Sequence, residues 1–66
     1  MRKTLLTILN PFVWLTTSDI LKILAMQNIV IDRVNVLASL HHMHGKGIVK
    51  RKDIKFSWRG YAWRLA

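Results

Sequence analysis

The chain of 66 residues is long enough for one small domain, which at this size buries only about 60% of its unfolded surface. It carries 11 Lys and Arg against 3 Asp and no Glu, for a net charge of +8. This balance favours nucleic acid or another anionic surface as partner. The absence of Cys excludes disulfides, thiolate metal sites and a cysteine nucleophile, and it favours a cytoplasmic location.

The N-terminal run MRKTLLTILNPFVWL imitates a signal peptide, with a charged start and an apolar stretch. Asn10 and Pro11 interrupt that stretch, and no uncharged apolar run reaches the ~20 residues that span a bilayer. We therefore expect no membrane partner. The apolar spacing predicts a short helix over 3–9, and FVWL after it predicts a short extended segment in which Trp14 belongs to the core.

The run LTTSDI predicts the start of a second helix, over 17–26. Thr16 is placed to cap the helix through its hydroxyl, and Asp19, three residues later, is placed to bond back to the Thr16 amide. Leu15 and Ile20 take the positions of a hydrophobic staple across this capping box.

A third helix is predicted over 33–44, with Asp32 as its N-cap and Gly45 as the residue that ends it. Its buried side is formed by apolar residues at spacings of four and three: Val36, Leu40 and Met43. The polar and charged residues between them are left for the exposed side.

After Gly47 the pattern changes to two strands, IVKRK and YAWRLA, joined by the loop DIKFSWRG. In the second strand Trp63 is expected in the core. In the first, Ile48 is expected to point inward, while Lys50 and Lys52 share one side and Arg51 takes the other.

The segment LTTSDILKILAMQNIVIDRVNVLASLHHMHGKGIVKRK resembles the helix-turn-helix-wing unit of small bacterial and phage winged helix regulators. The resemblance rests on the apolar turn residue Ile31, the buried spacing of the third helix and the junction GIVK. It implies an α+β fold of three helices and a two-stranded β-hairpin wing over 48–65, with a short strand between the first two helices.

The resemblance further implies that helix 33–44 enters the major groove of double-stranded DNA while the hairpin contacts the backbone. The helix residues implied in DNA binding are Arg33, Asn35, Ser39 and His42. The hairpin residues are Lys50, Arg51, Lys52, Lys55, Trp58 and Arg59. One departure is that Leu37 and Ala38 occupy positions expected to face the DNA, which favours either sparse base readout or a protein partner on this face.

The loop residue Trp58 leaves three alternatives: it packs against DNA, folds back on the domain, or contacts a partner subunit. A homodimer through the N-terminal helix with Trp14 is expected, because a single short recognition helix is usually weakly specific.

The three histidines do not form a convincing metal site, because structural zinc takes four ligands and no Cys is present. We expect no metal and no cofactor. His41 and His42 are instead expected on the solvent or DNA side, where their charge would rise below a pH of about 6.5. With three scattered Asp and no Gly-rich phosphate loop, we expect no enzyme activity.

Two other functions remain open. One is a winged helix module that docks on a host protein, and the other is a membrane-active basic peptide that uses 5–31 as an apolar anchor. The capping box argues against the second, because an interfacial helix does not need it.

Overall fold

The computed structural model describes residues 2–54 and 60–66. The elements in chain order are α1 (Arg2–Ile8), β1 (Leu15–Thr16), α2 (Thr17–Met26), α3 (Arg33–Gly45), β2 (Val49–Asp53) and β3 (Tyr61–Leu65). The predicted α+β class is confirmed, and each predicted helix lies within one residue of the observed one.

The three strands form one antiparallel sheet in the order β1-β3-β2. The predicted short strand after α1 is present, but it pairs with β3, so the sheet has three strands where the sequence predicts a two-stranded hairpin. Leu15 of β1 lies opposite Trp63 of β3, and Arg51 of β2 lies opposite Trp63 on its other side. The Leu65 amide donates to the Asn10 carbonyl at 3.1 Å and ties the end of α1 to the sheet.

The core surrounds Trp63, which is fully buried as predicted. Its indole Nε1 donates to the hydroxyl of the buried Thr17 at 3.1 Å, so the polar end of the ring is satisfied inside the core. All three helices and both long strands contribute buried apolar side chains: Leu5, Leu9, Ile20, Leu24, Val36, Leu40, Met43 and Val49.

The predicted capping box of α2 is confirmed. The Thr16 hydroxyl accepts from the Asp19 amide at 3.0 Å, and the Asp19 carboxylate accepts from the Thr16 amide at 3.2 Å. At the other end Asn28 adopts a left-handed conformation (φ 60°), and the Ile29 amide donates to the Leu24 carbonyl. This is a Schellman ending, and it fixes the turn toward α3.

The prediction of Asp32 as the N-cap of α3 is confirmed in position, whereas the predicted C-terminal end is wrong. Asp32 occupies the N-cap position, but its side chain makes no capping hydrogen bond. Gly45 is the last helical residue, and Gly47 (φ 77°) takes the left-handed position beyond the end. The Ile48 amide then donates to the Met43 carbonyl at 2.9 Å, which completes a Schellman motif.

Ile48 is half-buried and packs against the core as predicted, and Val49, where β2 begins, is buried beside it. One side-chain placement differs from the prediction. Trp14 is only half-buried and lies outside the core. Since Leu15 points inward in this extended segment, its neighbour Trp14 must point the other way.

Candidate nucleic-acid interface

The predicted groove residues of α3 all lie at positions outside the buried core, although Arg33 is on a different flank of the helix from Asn35. Arg33, Asn35 and His42 are exposed, and Ser39 is half-buried. The opposite side of the helix is anchored by its fully buried core residues, so the orientation of the exposed side is fixed.

The expectation for Leu37 is wrong. It is half-buried and packs against the core, so it does not belong to the open side of the helix. Val34 does, with 75% of its surface exposed, and Ala38 is exposed as expected. The exposed side of α3 therefore combines polar residues with two small apolar ones, which suits contact with thymine methyl groups as well as with a protein.

Arg33 opens α3 next to the start of α2. It borders an opening of about 260 Å³ that is also lined by Thr17 and Ser18 of α2 and by Tyr61 of β3. Arg33 thus stands where α2, α3 and the hairpin meet. Lys46, also exposed, lies at the opposite end of α3.

The cations of the hairpin divide between the two faces of the sheet. The inner face contacts the helices and carries Leu15, Val49, Arg51, Tyr61, Trp63 and Leu65, while the outer face carries Thr16, Lys50, Lys52, Ala62 and Arg64. The predicted separation of Lys50 and Lys52 from Arg51 is confirmed. Lys50 and Lys52 consequently project from the side of the sheet opposite to α3.

Arg51 is held on the α3 side by aromatic contacts. Its guanidinium carbon lies 4.8 Å from the centre of the Tyr61 ring, and its Nη1 lies 3.2 Å from Nδ1 of His41. The His41 ring also meets Trp63 edge to face, at 5.1 Å between centres. His41 is exposed, which agrees with the expected solvent side of the helix, although its ring also packs on the sheet.

Two cations of the outer face converge on Trp14. The Arg64 guanidinium carbon lies 4.6 Å and the Lys52 ammonium 5.6 Å from the centre of the indole. The small side chain of Ala62 separates Thr16 from Lys52 in the register, which leaves room for Lys52 to reach across the sheet. Arg64 Nε is buried and has no hydrogen-bond partner among the described residues.

An apolar groove of about 500 Å³ lies between the end of α2 and the turn before α3, lined by Leu21, Ala25, Asn28, Ile29, Val30 and Ile31. Val30 at its rim is fully exposed, and Met26 nearby is 82% exposed. With Val34, these side chains give the N-terminal end of α3 an apolar border.

The remaining predicted features are placed as follows. Lys55, Trp58 and Arg59 lie outside the described residues. Within 2–54 and 60–66, no group of three or more His, Asp or Glu side chains is arranged to hold a metal ion. Across the same part of the chain, no helix has the length and apolar character needed to cross a bilayer. The apolar side of α1, expected at a dimer interface, is occupied by the chain's own core through Leu5 and Leu9.

Comparison of the chain with protein-family models, with curated proteins and with solved structures finds no match.

The contact between Trp14 and Arg64 was not predicted from the sequence. The signal was present in the alternation of the two strands: Arg64 lies next to the core residue Trp63, and Trp14 lies next to the staple residue Leu15. Both side chains had to leave the core on the same face once β1 pairs with β3. That pairing, which joins residues far apart in the chain, is what the local pattern does not contain.

Proposed function

We propose that this protein is a small winged helix domain that binds double-stranded DNA, with α3 in the major groove. The observation that carries the proposal is the exposed surface of the N-terminal half of α3. Arg33 and Asn35 are both exposed there, on different flanks of a helix whose buried side is locked into the core. The order of elements, with α2 and α3 followed by a hairpin, agrees with a winged helix-turn-helix unit.

Within this proposal the residues divide by role. Asn35 is suited to a bidentate contact with adenine, and Arg33 to guanine or to a phosphate beside the groove. His42 and Ser39 extend this side toward the helix end. Backbone contacts suit two cations: Arg51, on the face of the sheet that contacts α3, and Lys46, at the C-terminal end of α3. The outer face carries Lys50 and Lys52, which add mainly to the long-range attraction of the duplex.

The net charge of +8 supports the same partner. Each phosphate neutralised by a cation releases counterions, so the logarithm of the affinity falls with the logarithm of the salt concentration by about 0.9 per contact. The proposal therefore requires duplex binding that weakens steeply with salt. A domain built for this role needs no catalytic residue, cofactor or metal.

The experiment measures binding to random-sequence duplex DNA by fluorescence anisotropy over a series of salt concentrations. Arg33→Ala should reduce the salt slope by about 0.9, because one phosphate contact is lost. Lys22→Ala removes the same charge from an exposed position on α2 and serves as the matched control. Failure of the wild-type protein to bind duplex DNA at low salt would refute the proposal. Equal changes of the salt slope in Arg33→Ala and Lys22→Ala would show that α3 is not part of the DNA interface.

A second candidate is a winged helix module that docks on a protein through the same end of α3. It is favoured by Val34 and Val30, which are exposed beside the apolar groove. Val34→Ser should leave DNA binding within about twofold in the DNA proposal, since thymine methyl contacts are individually weak. If the domain is instead a docking module, the wild-type protein itself should not bind DNA.

A further inference from the structure

We infer that the outer face of the sheet is a second binding surface, which takes an acidic peptide segment of a protein partner that also carries apolar side chains. The surface consists of Trp14, Lys50, Lys52 and Arg64, and we call it the outer basic surface. It does not depend on the proposed DNA-binding function, because the sheet separates it from α3.

The first observation is a repulsion in the sheet. Lys50 lies directly opposite Arg64 in the antiparallel register of β2 and β3. Like charges in such a pair destabilise the sheet, and Lys52 adds a third cation on the same face. None of these outer-face positions carries an acid to offset the charge. An anionic partner would relieve the repulsion that the fold itself leaves in place.

The second observation is the arrangement of the cations around one indole. The Arg64 guanidinium lies 4.6 Å and the Lys52 ammonium 5.6 Å from the centre of the Trp14 ring, so one indole contacts two cations. A carboxylate of the partner would form a charge-assisted hydrogen bond with either cation beside the indole. Arg64 Nε, buried without an acceptor among the described residues, adds an unused donor to the same group.

The third observation selects a peptide over a nucleic acid. Trp14 follows Phe12 and Val13, whose side chains are 86% and 51% exposed. The amides of both residues donate to the Asn10 side chain, at 2.9 and 2.8 Å, which fixes this apolar turn beside the outer basic surface. The phosphate backbone of a duplex offers no apolar partner to exposed Phe and Val, whereas a peptide with acidic and apolar residues contacts both parts.

The orientation of the surface is the remaining step. Trp63 and Tyr61 of β3 face α3 through His41, so Arg64 and Ala62, which alternate with them, face away from α3. A duplex seated on the exposed side of α3 leaves this face uncovered. The domain can thus hold DNA and an acidic segment at the same time.

The test uses three labelled synthetic peptides of equal length: alternating Glu and Leu, alternating Glu and Ser, and alternating Ser and Leu. The wild-type protein should bind the Glu–Leu peptide at least about tenfold more tightly than either of the others. Addition of this peptide should shift the indole NMR signal of Trp14 and leave that of Trp63 in place.

The variants separate this surface from general charge. Lys52→Ala with Arg64→Ala should abolish the preference for the Glu–Leu peptide, while Lys3→Ala with Lys22→Ala, which removes the same charge from α1 and α2, should preserve it. Trp14→Phe keeps an aromatic ring under Arg64 and should retain binding, whereas Trp14→Leu should lose it. Circular dichroism of each variant verifies that it is folded, and Arg64→Gln replaces Arg64→Ala if the latter is not.

Three results would overturn the inference: equal binding of all peptides by wild type, equal binding by the two double variants, or a Glu–Leu titration that leaves the Trp14 indole unmoved. A fourth is that Lys52→Ala with Arg64→Ala reduces duplex binding as strongly as Arg33→Ala, which would assign the surface to DNA. Absence of DNA binding in the wild type would refute the proposed function and leave this inference standing.

Discussion

Alternate residues of the same strands form the two faces of the three-stranded sheet. One face is buried and apolar, and the other is exposed and positively charged. On the inner face Trp63 is fully buried and hydrogen-bonded to Thr17, and Val49 is buried beside it. On the outer face Lys50 opposes Arg64, and Trp14 is only half-buried beneath two cations. The inner face serves stability, whereas the outer face retains a repulsive pair that stability alone would not select.

The largest effect should come from the two tryptophans. Trp63→Ala removes a fully buried indole and should lower the free energy of unfolding by about 3–5 kcal/mol. Trp14→Ala removes a half-buried ring outside the core and should cost less than about half of that. Urea unfolding followed by circular dichroism compares the two, and equal losses would contradict the distinction between the faces.

Thr17→Val tests the polar contact of the inner face with little change of volume. It leaves the Trp63 indole N–H buried without an acceptor, which should cost about 1–3 kcal/mol. Ser18→Ala, at the neighbouring exposed position, is the control and should change stability by no more than about 0.5 kcal/mol. An unchanged urea midpoint for Thr17→Val would mean that the hydrogen bond does not form.

The two glycines before β2 should respond with opposite signs. Gly47 has φ 77°, a conformation that costs an L-residue energy. Gly47→Ala should therefore strain the turn that leads into β2 and lower the free energy of unfolding by about 1 kcal/mol. Gly45 is helical, and an added Cβ would meet no atom of the other described residues within 4 Å beyond its chain neighbours and its own helix. Gly45→Ala should therefore stabilise the protein by about 0.5–1 kcal/mol. Thermal unfolding of both variants measures the signs, and the same sign for both would contradict this description of the helix end.

The smallest effect is expected on the outer face, where a change should raise stability. Lys50→Glu replaces the repulsion with Arg64 by an attraction and should stabilise the fold by about 0.2–1 kcal/mol at low salt. The gain should shrink at high salt as the charges are screened. Lys22→Glu, at an exposed position in the middle of α2, is the matched charge reversal. A loss of stability in Lys50→Glu alone would argue against a repulsive pair in the native sheet.

Most of the helical part of the fold could be predicted from interactions between residues that are close in the sequence. The capping box at Thr16 and Asp19, and the four-and-three spacing of Val36, Leu40 and Met43, act over a single turn and could be predicted from neighbouring residues. The start of α2 and the buried side of α3 follow from these short-range signals without any knowledge of the rest of the chain.

The errors share one physical cause, which is dependence on distant residues. The third strand forms because β1 pairs with β3, which lies about fifty residues later in the chain. That pairing directs the Trp14 side chain to the outer face, where it contacts Arg64. The choice between Gly45 and Gly47 depends on where Ile48 and Val49 meet the core, since either glycine alone is suited to end a helix. Of the candidate site, the exposed residues of α3 could be predicted from periodicity, but the contact of His41 with Trp63 and Arg51 could not.

The most direct test of the proposed function is an NMR titration of the isotopically labelled protein with duplex DNA at low salt. We expect the amide signals of Arg33, Asn35 and His42 on α3 to move, and the indole signals of Trp14 and Trp63 to stay. Perturbations confined to the outer face, or none at any DNA concentration, would contradict the assignment of α3 as the DNA-binding element.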